Sequence, residues 1–137
     1  MFLIDTDIII YSLKRHPEVI SGFGAHARDP KAISVVTYGE LLYGANRSRR
    51  RVENEAKVRR IGELFPVVGI SMAIMDTFAS VKASLAGKGK VVDDFDLLIG
   101  STALVLNYTL VTNNQKHFAK IPGLKTENWS NPRHSSR

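Results

Sequence analysis

Four acidic side chains in this sequence stand beside apolar stretches that we predict to be buried. Asp5 and Asp7 follow the run FLI, Glu40 follows the run AISVV, and Asp96 opens an apolar helical stretch. A buried carboxylate costs several kcal/mol unless it is paired, hydrogen-bonded or bound to a cation. Carboxylate oxygens are the ligands that Mg²⁺ and Mn²⁺ prefer, so these residue types predict metal-assisted phosphate chemistry.

Each of these acids also has an ordinary structural explanation. Asp7 could cap the first helix or support the backbone, and this role is the better one for that residue alone. Glu40 stands three residues after Thr37, which is the T-x-x-E pattern of a capping box. Three further positions suit a helix amino terminus, where acids are favoured: Asp93, Asp94 and Asp96. The metal hypothesis therefore depends on whether the acids meet.

The elements that would position the acids alternate between strands and helices. Strands are predicted over residues 2–5, 32–36, 66–70 and 108–112, with an edge strand at 124–128. Helices are predicted over residues 8–14, after Pro17, around Leu41, over 47–64, 71–85 and 93–107, and over 115–120. The strands are continuously apolar rather than alternating, which is typical of a parallel sheet covered on both faces. The predicted fold is α/β, a three-layer α/β/α sandwich with a mainly parallel central sheet.

The carboxyl ends of the predicted strands would gather the polar side chains at one edge, where open α/β sheets bind ligands. Asp5, Glu40 and Asp96 are expected there, together with Thr112 and Asn114 after the fourth strand. Three carboxylates in one place repel each other unless a cation offsets their charge. The joint pattern therefore predicts a divalent metal site, although Asn114 and its neighbour could also be simple turn residues.

Length and composition narrow the classes of function. The 137 residues suit one domain, which we place at residues 1–130 with a disordered tail at 131–137. The absence of cysteine excludes disulfides, zinc–thiolate sites and thiol nucleophiles, and it fits a cytoplasmic location. No apolar run approaches the roughly 20 residues that span a bilayer. The histidines show no paired ligand spacing, and His117 is expected to be a surface or packing residue.

A strongly basic segment, NRSRRRVENEAKVRR at residues 46–60, carries seven basic and two acidic residues out of a chain whose net charge is +6. It contains the consecutive residues Arg49, Arg50 and Arg51. The segment could be a solvated helix face, an RNA-phosphate surface or a face for an acidic protein segment. We favour contact with RNA.

Three blocks of the sequence resemble the PIN-domain toxins of the VapC family: FLIDTDIIIYSLK, SVVTYGELLYGA and DDFDLLIGSTALVLNYTLVTNNQKHFAKIPGLKTENWS. The resemblance extends from Phe2 to about Ser130. It implies a Mg²⁺-dependent endoribonuclease, the toxin of a type II toxin–antitoxin pair. It also implies an RNA substrate, with transfer RNA as the first candidate, a cognate antitoxin protein and a homodimer.

The family's acidic positions fall on Asp5, Glu40 and Asp96, with Asn114 at the fourth, polar position. By the same resemblance Thr112, Asp7 and Thr6 support the site, and Asp5 and Asp96 hold the metal, which Glu40 joins directly or through water. Asn114 in place of an acid lowers the charge of the site by one.

Two rival functions remain from the sequence. One is a PIN-domain nuclease of RNA processing outside toxin–antitoxin systems, which the absence of a neighbouring antitoxin gene would favour. The other is a non-catalytic nucleic-acid-binding protein, which the lack of metal-dependent cleavage would favour.

Overall fold

The computed structural model describes residues 1–131, and residues 132–137 lie outside the described part. The predicted tail therefore falls outside it apart from Asn131, and the domain boundary at residue 130 stays a prediction. The strands are β1 Phe2–Ile4, β2 Lys31–Ser34, β3 Val67–Val68, β4 Thr109–Val111 and β5 Thr126–Glu127. The helices are α1 Thr6–Leu13, α2 Pro17–Ala25, α3 Val35–Asn46, α4 Arg51–Leu64, α5 Met72–Gly87, α6 Asp94–Leu106 and α7 Gln115–Phe118. Of the helices in this part of the chain, none combines the length and the apolar character needed to cross a bilayer.

The described strands form a sheet in the order β3-β2-β1-β4-β5, and every neighbouring pair is parallel. The central strand is β1. From β1 the chain continues to β2 and β3 on one side, and it then crosses to β4 and β5 on the other side. The point between the carboxyl ends of β1 and β4 is the topological switch point, where sheets of this kind bind ligands. The predicted α/β fold with a parallel central sheet is confirmed.

Alternate side chains of β1 fill cores on opposite faces of the sheet. Phe2 and Ile4 pack with residues of α1, α2, α3 and α4, including Ile8 and Val58. Leu3 packs with the other group, which comes from α5, α6 and the segment around α7. Burying a side chain of this size contributes about 1.5–3 kcal/mol, so both faces stabilise the sheet. The helices thus cover the sheet on both sides, as the continuous apolar strands predict.

The second strand is shorter than the predicted span 32–36. β2 ends at Ser34, whose hydroxyl accepts a hydrogen bond of 3.0 Å from the Val36 N–H and so caps α3. Val35 and Val36 therefore lie in a helix although β-branched residues favour strands, because the cap and the packing of α3 outweigh that weak preference. The capping-box alternative for Glu40 fails, since Ser34 is the cap of α3 and Thr37 lies buried inside its first turn.

The segment after β5 is tied to α2 by an aromatic contact. Trp129 is fully buried, and its ring stacks on that of His26 at a centroid distance of 4.8 Å and an interplanar angle of 3°. Gly22 lies beneath the indole, where an added Cβ would stand 2.7 Å from the Trp129 Cβ. Only a residue without a side chain fits there, so α2 and the end of the chain can approach each other.

Candidate active site

The carboxylate of Asp5 lies at the switch point, directly after β1. It is the N-cap of α1, and its Oδ1 accepts a hydrogen bond of 2.8 Å from the Thr6 N–H. Its Oδ2 accepts another of 2.8 Å from the Thr112 hydroxyl, which follows β4. Asp5 is 6% exposed. Burial, followed by the charge of Asp7, raises the pKa of Asp5 to about 7.

Asp7 supports the loop that follows β4. Its Oδ2 accepts a hydrogen bond of 3.1 Å from the Asn113 N–H. The structure thus gives Asp7 the expected backbone contact, whereas Asp5 is the cap of α1. The Oδ1 of Asp7 is buried and finds no N–H or O–H donor within residues 1–131, and burial raises the pKa of the side chain. An unsatisfied buried carboxylate oxygen of this kind fits a bound cation or a water held by one.

Glu40 is brought to the site by α3 and is held by Thr6. The Thr6 hydroxyl donates a hydrogen bond of 2.7 Å to Glu40 Oε1 and lies 3.0 Å from the Thr37 hydroxyl. Burial raises the pKa of Glu40, and the charges of Asp96 and Asp93 act in the same direction. Thr6 therefore links two of the predicted acids, since its N–H binds Asp5 and its hydroxyl binds Glu40.

Asp96 lies in the first turn of α6 and contacts a histidine. The Nε2 of His117, on α7, lies 3.2 Å from Asp96 Oδ2. Burial raises the pKa of Asp96, while His117 lowers it. The sequence prediction that His117 is a surface or packing residue did not include this contact with Asp96. The signal that could have found it is its place on the short helix after β4, at the same edge as the acids.

The neighbouring acids of α6 have separate contacts. Asp93 is the N-cap of the helix, and its Oδ2 accepts a hydrogen bond of 3.2 Å from the Phe95 N–H. Asp94 pairs with Lys82 of α5 at 2.8 Å. Capping thus explains Asp93 and an ion pair explains Asp94, which leaves Asp96 as the acid of this turn that faces the site.

The four acids Asp5, Asp7, Glu40 and Asp96 influence one another through their charges. Burial is the largest cause that raises each pKa, and the charge of Asp96 adds to it for the other three. Within the described part of the chain, no three acidic or histidine side chains lie close enough together to hold a metal ion. The acids thus share one edge without forming a closed ligand set, because each is held by its own donor while like charges repel.

Asn114 stands at the same edge but is exposed to solvent. It is the N-cap residue of α7, and its backbone N–H donates a hydrogen bond of 3.0 Å to the Thr112 hydroxyl. Its side chain makes no hydrogen bond with the four acids among residues 1–131. Thr112 therefore supports Asp5 and Asn114 together, while the role of the Asn114 amide stays a prediction.

The three consecutive arginines lie away from the acids. Arg49 and Arg50 form the turn between α3 and α4, and Arg51 begins α4. With a rise of 1.5 Å per residue, the end of α3 lies about 9 Å beyond Glu40. Arg50 pairs with Glu53 at 3.6 Å and Arg51 with Glu55 at 2.9 Å. Exposed pairs of this kind contribute little to stability, so the guanidinium groups stay available to a partner.

Comparison with known proteins decides the family. The family profile described as the PIN domain matches residues 2–124. The chain belongs to the PIN domain family. Ribonuclease VapC2 of Rickettsia felis is 32% identical over 131 residues, which cover 94% of this chain and 98% of the relative. The tRNA(fMet)-specific endonuclease VapC of Shigella flexneri is 32% identical over 129 residues, which cover 94% of this chain and 98% of the relative. The resemblance to VapC toxins is thereby confirmed.

Solved structures give the same placement for this PIN domain. VapBC2 from Rickettsia felis, bound to a DNA fragment from its promoter, matches with a TM-score of 0.86 at 32% identity. That match covers 93% of this chain and 98% of the other. The DNA-bound VapBC from Salmonella typhimurium matches with a TM-score of 0.87 at 29% identity, covering 93% and 97%.

Proposed function

We propose that this PIN domain is the toxin of a toxin–antitoxin pair and an endoribonuclease that uses a divalent cation to hydrolyse RNA. The observation that carries the proposal is the buried carboxylate of Asp5 at the switch point, with Asp7, Glu40 and Asp96 beside it. Such a group of acids destabilises a fold unless an opposite charge, such as a bound cation, offsets their repulsion. The relatives named as ribonucleases support RNA as the substrate.

The proposed metal is Mg²⁺, with Mn²⁺ as a substitute. Asp5 and Asp96 would hold it, Glu40 would join them directly or through water, and the unsatisfied Oδ1 of Asp7 provides a further acceptor. When bound there, the cation would lower the pKa of a coordinated water and offset charge on the phosphoryl oxygens. Asn114 contributes an oxygen without charge, which limits the negative charge of the site.

The protein's own groups set the geometry of the reaction. Thr6 and Thr112 orient the Asp5 carboxylate, Thr6 also orients Glu40, and His117 orients Asp96. Neutral donors hold Asp5 and Glu40 without cancelling their charge, so these two acids stay able to bind a cation. In-line attack by water, rather than by the ribose 2′-hydroxyl, leaves a 5′-phosphate and a 3′-hydroxyl.

The proposed partners follow from the relatives. Solved complexes such as VapBC2 from Rickettsia felis support a cognate antitoxin for this chain. We further propose a homodimer, a cytoplasmic location and transfer RNA as the first substrate to test, which the name of the relative from Shigella flexneri supports. Mapping new RNA 5′ ends after induced expression would identify the substrate.

The proposal is tested by the substitution Asp5→Asn. We expect the wild type to cleave RNA with Mg²⁺ and not with EDTA, and the variant to lose nearly all activity with its circular dichroism spectrum unchanged. The removal of a buried charge should leave the fold intact. Full activity in EDTA or in the variant would refute the metal-dependent nuclease. Absence of cleavage by the wild type on every RNA tested would favour a binding protein instead.

A further inference from the structure

An exposed aromatic ring lies next to one of the site acids, in the first turn of α6. Phe95 lies in the first turn of α6, between Asp94 and Asp96, and is 54% exposed. It belongs to neither of the two core clusters. Exposing an apolar ring to water forgoes about 1.5–3 kcal/mol that burial would provide. A ring in this position is therefore available to a molecule that binds beside Asp96.

Lysines surround the same turn. Lys82 of α5 pairs with Asp94 at 2.8 Å, and Lys120 donates a hydrogen bond of 3.3 Å to the Val91 carbonyl. These contacts fix residues 88–93, the loop that leads into α6, between α5 and the end of α7. Lys88 and Lys90 of this loop are exposed, and neither forms an ion pair with a carboxylate of the described chain.

The loop also carries apolar surface. Val91 is 78% exposed, and a recess between the loop and α5 is lined by Lys82, Lys90 and Val91 together with apolar residues of α5. Positive groups next to exposed apolar and aromatic side chains are the combination that binds single-stranded nucleic acid. The lysines follow the phosphates, and the ring stacks on a base.

We propose that Phe95 is a stacking platform for an unpaired RNA base next to the cleaved phosphate, and that Lys88 and Lys90 bind the phosphates of the same strand. The inference rests on the proposed function and makes it more specific. The acids would place the scissile phosphate, and an adjacent base that lies over the same turn of α6 can stack on this ring. A base within a duplex is stacked on its neighbours and cannot reach a side chain, so the substrate is unpaired at this point.

The position of the lysines explains how RNA approaches an acidic site. A phosphodiester next to Asp5, Glu40 and Asp96 is repelled by their charges until a cation is present. Lysines along the entrance attract the flanking phosphates and offset this repulsion. Lys82 pairs with Asp94 of α6, whereas Lys88 and Lys90 have no ion pair within residues 1–131 and are the lysines that we assign to phosphate contact.

The test uses the full chain and a short unstructured oligoribonucleotide that contains one 2-aminopurine, whose fluorescence falls when it stacks. Binding is measured with Mg²⁺ in a Glu40→Gln background for every protein compared, so that the cation offsets the charge of the acids while cleavage is too slow to interfere. We expect Phe95→Ala to weaken binding about fivefold to about a hundredfold and to abolish the quenching, because one base–aromatic stack has that value. Phe95→Trp should keep the affinity and the quenching of the phenylalanine protein. Phe95→Leu should bind more weakly than that protein and quench less.

The lysines are tested through the salt dependence of binding. Lys88→Gln with Lys90→Gln should reduce the log–log salt slope by roughly 0.7 for each phosphate that the variant no longer neutralises. Phe95→Ala should leave the slope unchanged, because it removes no charge. Lys125→Gln is the matched control, since Lys125 is exposed and precedes β5 at the opposite edge of the sheet; it should change neither affinity nor slope.

Several outcomes would overturn the inference. Stacking would be excluded if the Phe95→Ala or Phe95→Leu variant bound the oligoribonucleotide and quenched 2-aminopurine as well as the protein with phenylalanine does. Unchanged RNA binding with weakened binding of the cognate antitoxin would assign the ring to the protein partner. If the wild type cleaves RNA with Mg²⁺ while these tests fail, the proposed function stands and only the platform is wrong. A wild type that neither binds nor cleaves RNA refutes both.

Discussion

Neutral hydroxyl groups hold two of the acids. The Thr6 hydroxyl donates to Glu40, and the Thr112 hydroxyl donates to Asp5. Asp5 also accepts a hydrogen bond from the Thr6 N–H. A lysine or arginine in their place would pair with the carboxylates and cancel the charge that a cation requires. The D-T-D and L-V-T patterns of the sequence are therefore best explained by support of the acids rather than by packing.

Glu40→Gln separates a chemical role from a structural one. The Gln Oε1 can still accept the hydrogen bond from the Thr6 hydroxyl, but the negative charge is removed. We expect RNA cleavage with Mg²⁺ to fall by at least about a hundredfold, the scale on which catalytic groups act, with little change in melting temperature. Initial rates and thermal melts of the same preparations measure the two effects.

Glu63→Gln is the matched control for that substitution. Glu63 is an exposed acid of α4 that pairs with Arg60 at 3.0 Å, so its charge is solvated, and it has no hydrogen bond with the site residues among residues 1–131. It should keep wild-type activity. A Glu40→Gln variant that keeps its activity and loses stability would make Glu40 a structural residue.

Single residues also show where a sequence alone is insufficient. Asp5, Glu40 and Asp96 can be predicted because each follows a strand or opens a helix at one edge of a parallel sheet. For His117 the sequence offers only its place on the short helix after β4, because a lone histidine carries no spacing pattern and its contact with Asp96 depends on how α7 packs against α6. The alternative that Glu40 belongs to a capping box at Thr37 fails because the cap of α3 is Ser34, three residues earlier.

The elements themselves are largely predictable, since their apolar patterns and caps are local. Ser71 caps α5 and accepts a hydrogen bond of 3.2 Å from the Ile74 N–H. The boundary of β2 does not follow from propensity, because Val35 and Val36 favour a strand and the packing of α3 decides otherwise. Gly100 is unfavourable for a helix by propensity alone. Packing explains it, because an added Cβ there would stand 2.7 Å from Ile121 Cδ1.

The turn between α3 and α4 allows a test of the basic segment. Replacing Arg49, Arg50 and Arg51 with glutamine should weaken RNA binding and reduce the log–log salt slope by roughly 0.7–0.9 for each phosphate that these arginines neutralise. The turn lies beyond the site, so it would contact RNA at a distance from the cleaved bond. Single-turnover cleavage at saturating RNA should therefore change little.

Salt titrations of binding by the wild type and the triple variant measure this effect. Because Arg50 and Arg51 form only exposed ion pairs, the variant should fold normally, and a thermal melt provides the check. An unchanged salt slope would show that the turn is a solvated face or binds the antitoxin.

For the molecule as a whole, the acids make stability depend on pH and on the cation. The pKa of Asp5 is about 7 in the fold, against an ordinary value of 3.8. Its contribution to the free energy of unfolding is fully present below about pH 4 and is lost as the pH rises through about 7. Asp5→Asn removes this dependence. We therefore expect the following without metal. The melting temperature of the variant minus that of the wild type should increase as the pH is raised from about 4 to about 8.

Magnesium should oppose the same loss of stability. A ligand that binds only the folded chain adds about 2.7 kcal/mol at a hundredfold excess over its Kd. We expect Mg²⁺ to raise the melting temperature of the wild type at pH 8 and to raise that of Asp96→Asn much less. Asp94→Asn is the matched control, because Asp94 pairs with Lys82 and its replacement should leave the Mg²⁺ shift intact. Equal shifts in all three proteins would exclude Asp96 from the metal site.

The hydrogen bond between the Thr112 hydroxyl and Asp5 joins residues that are 107 positions apart in the chain. During synthesis the ribosome releases Asp5 before Thr112, and β4 must then enter the sheet beside β1. A growing chain therefore has no assembled acidic edge before Thr112 has emerged. For an enzyme that cuts RNA, this order of assembly keeps the nascent polypeptide inactive until β4 has joined the sheet.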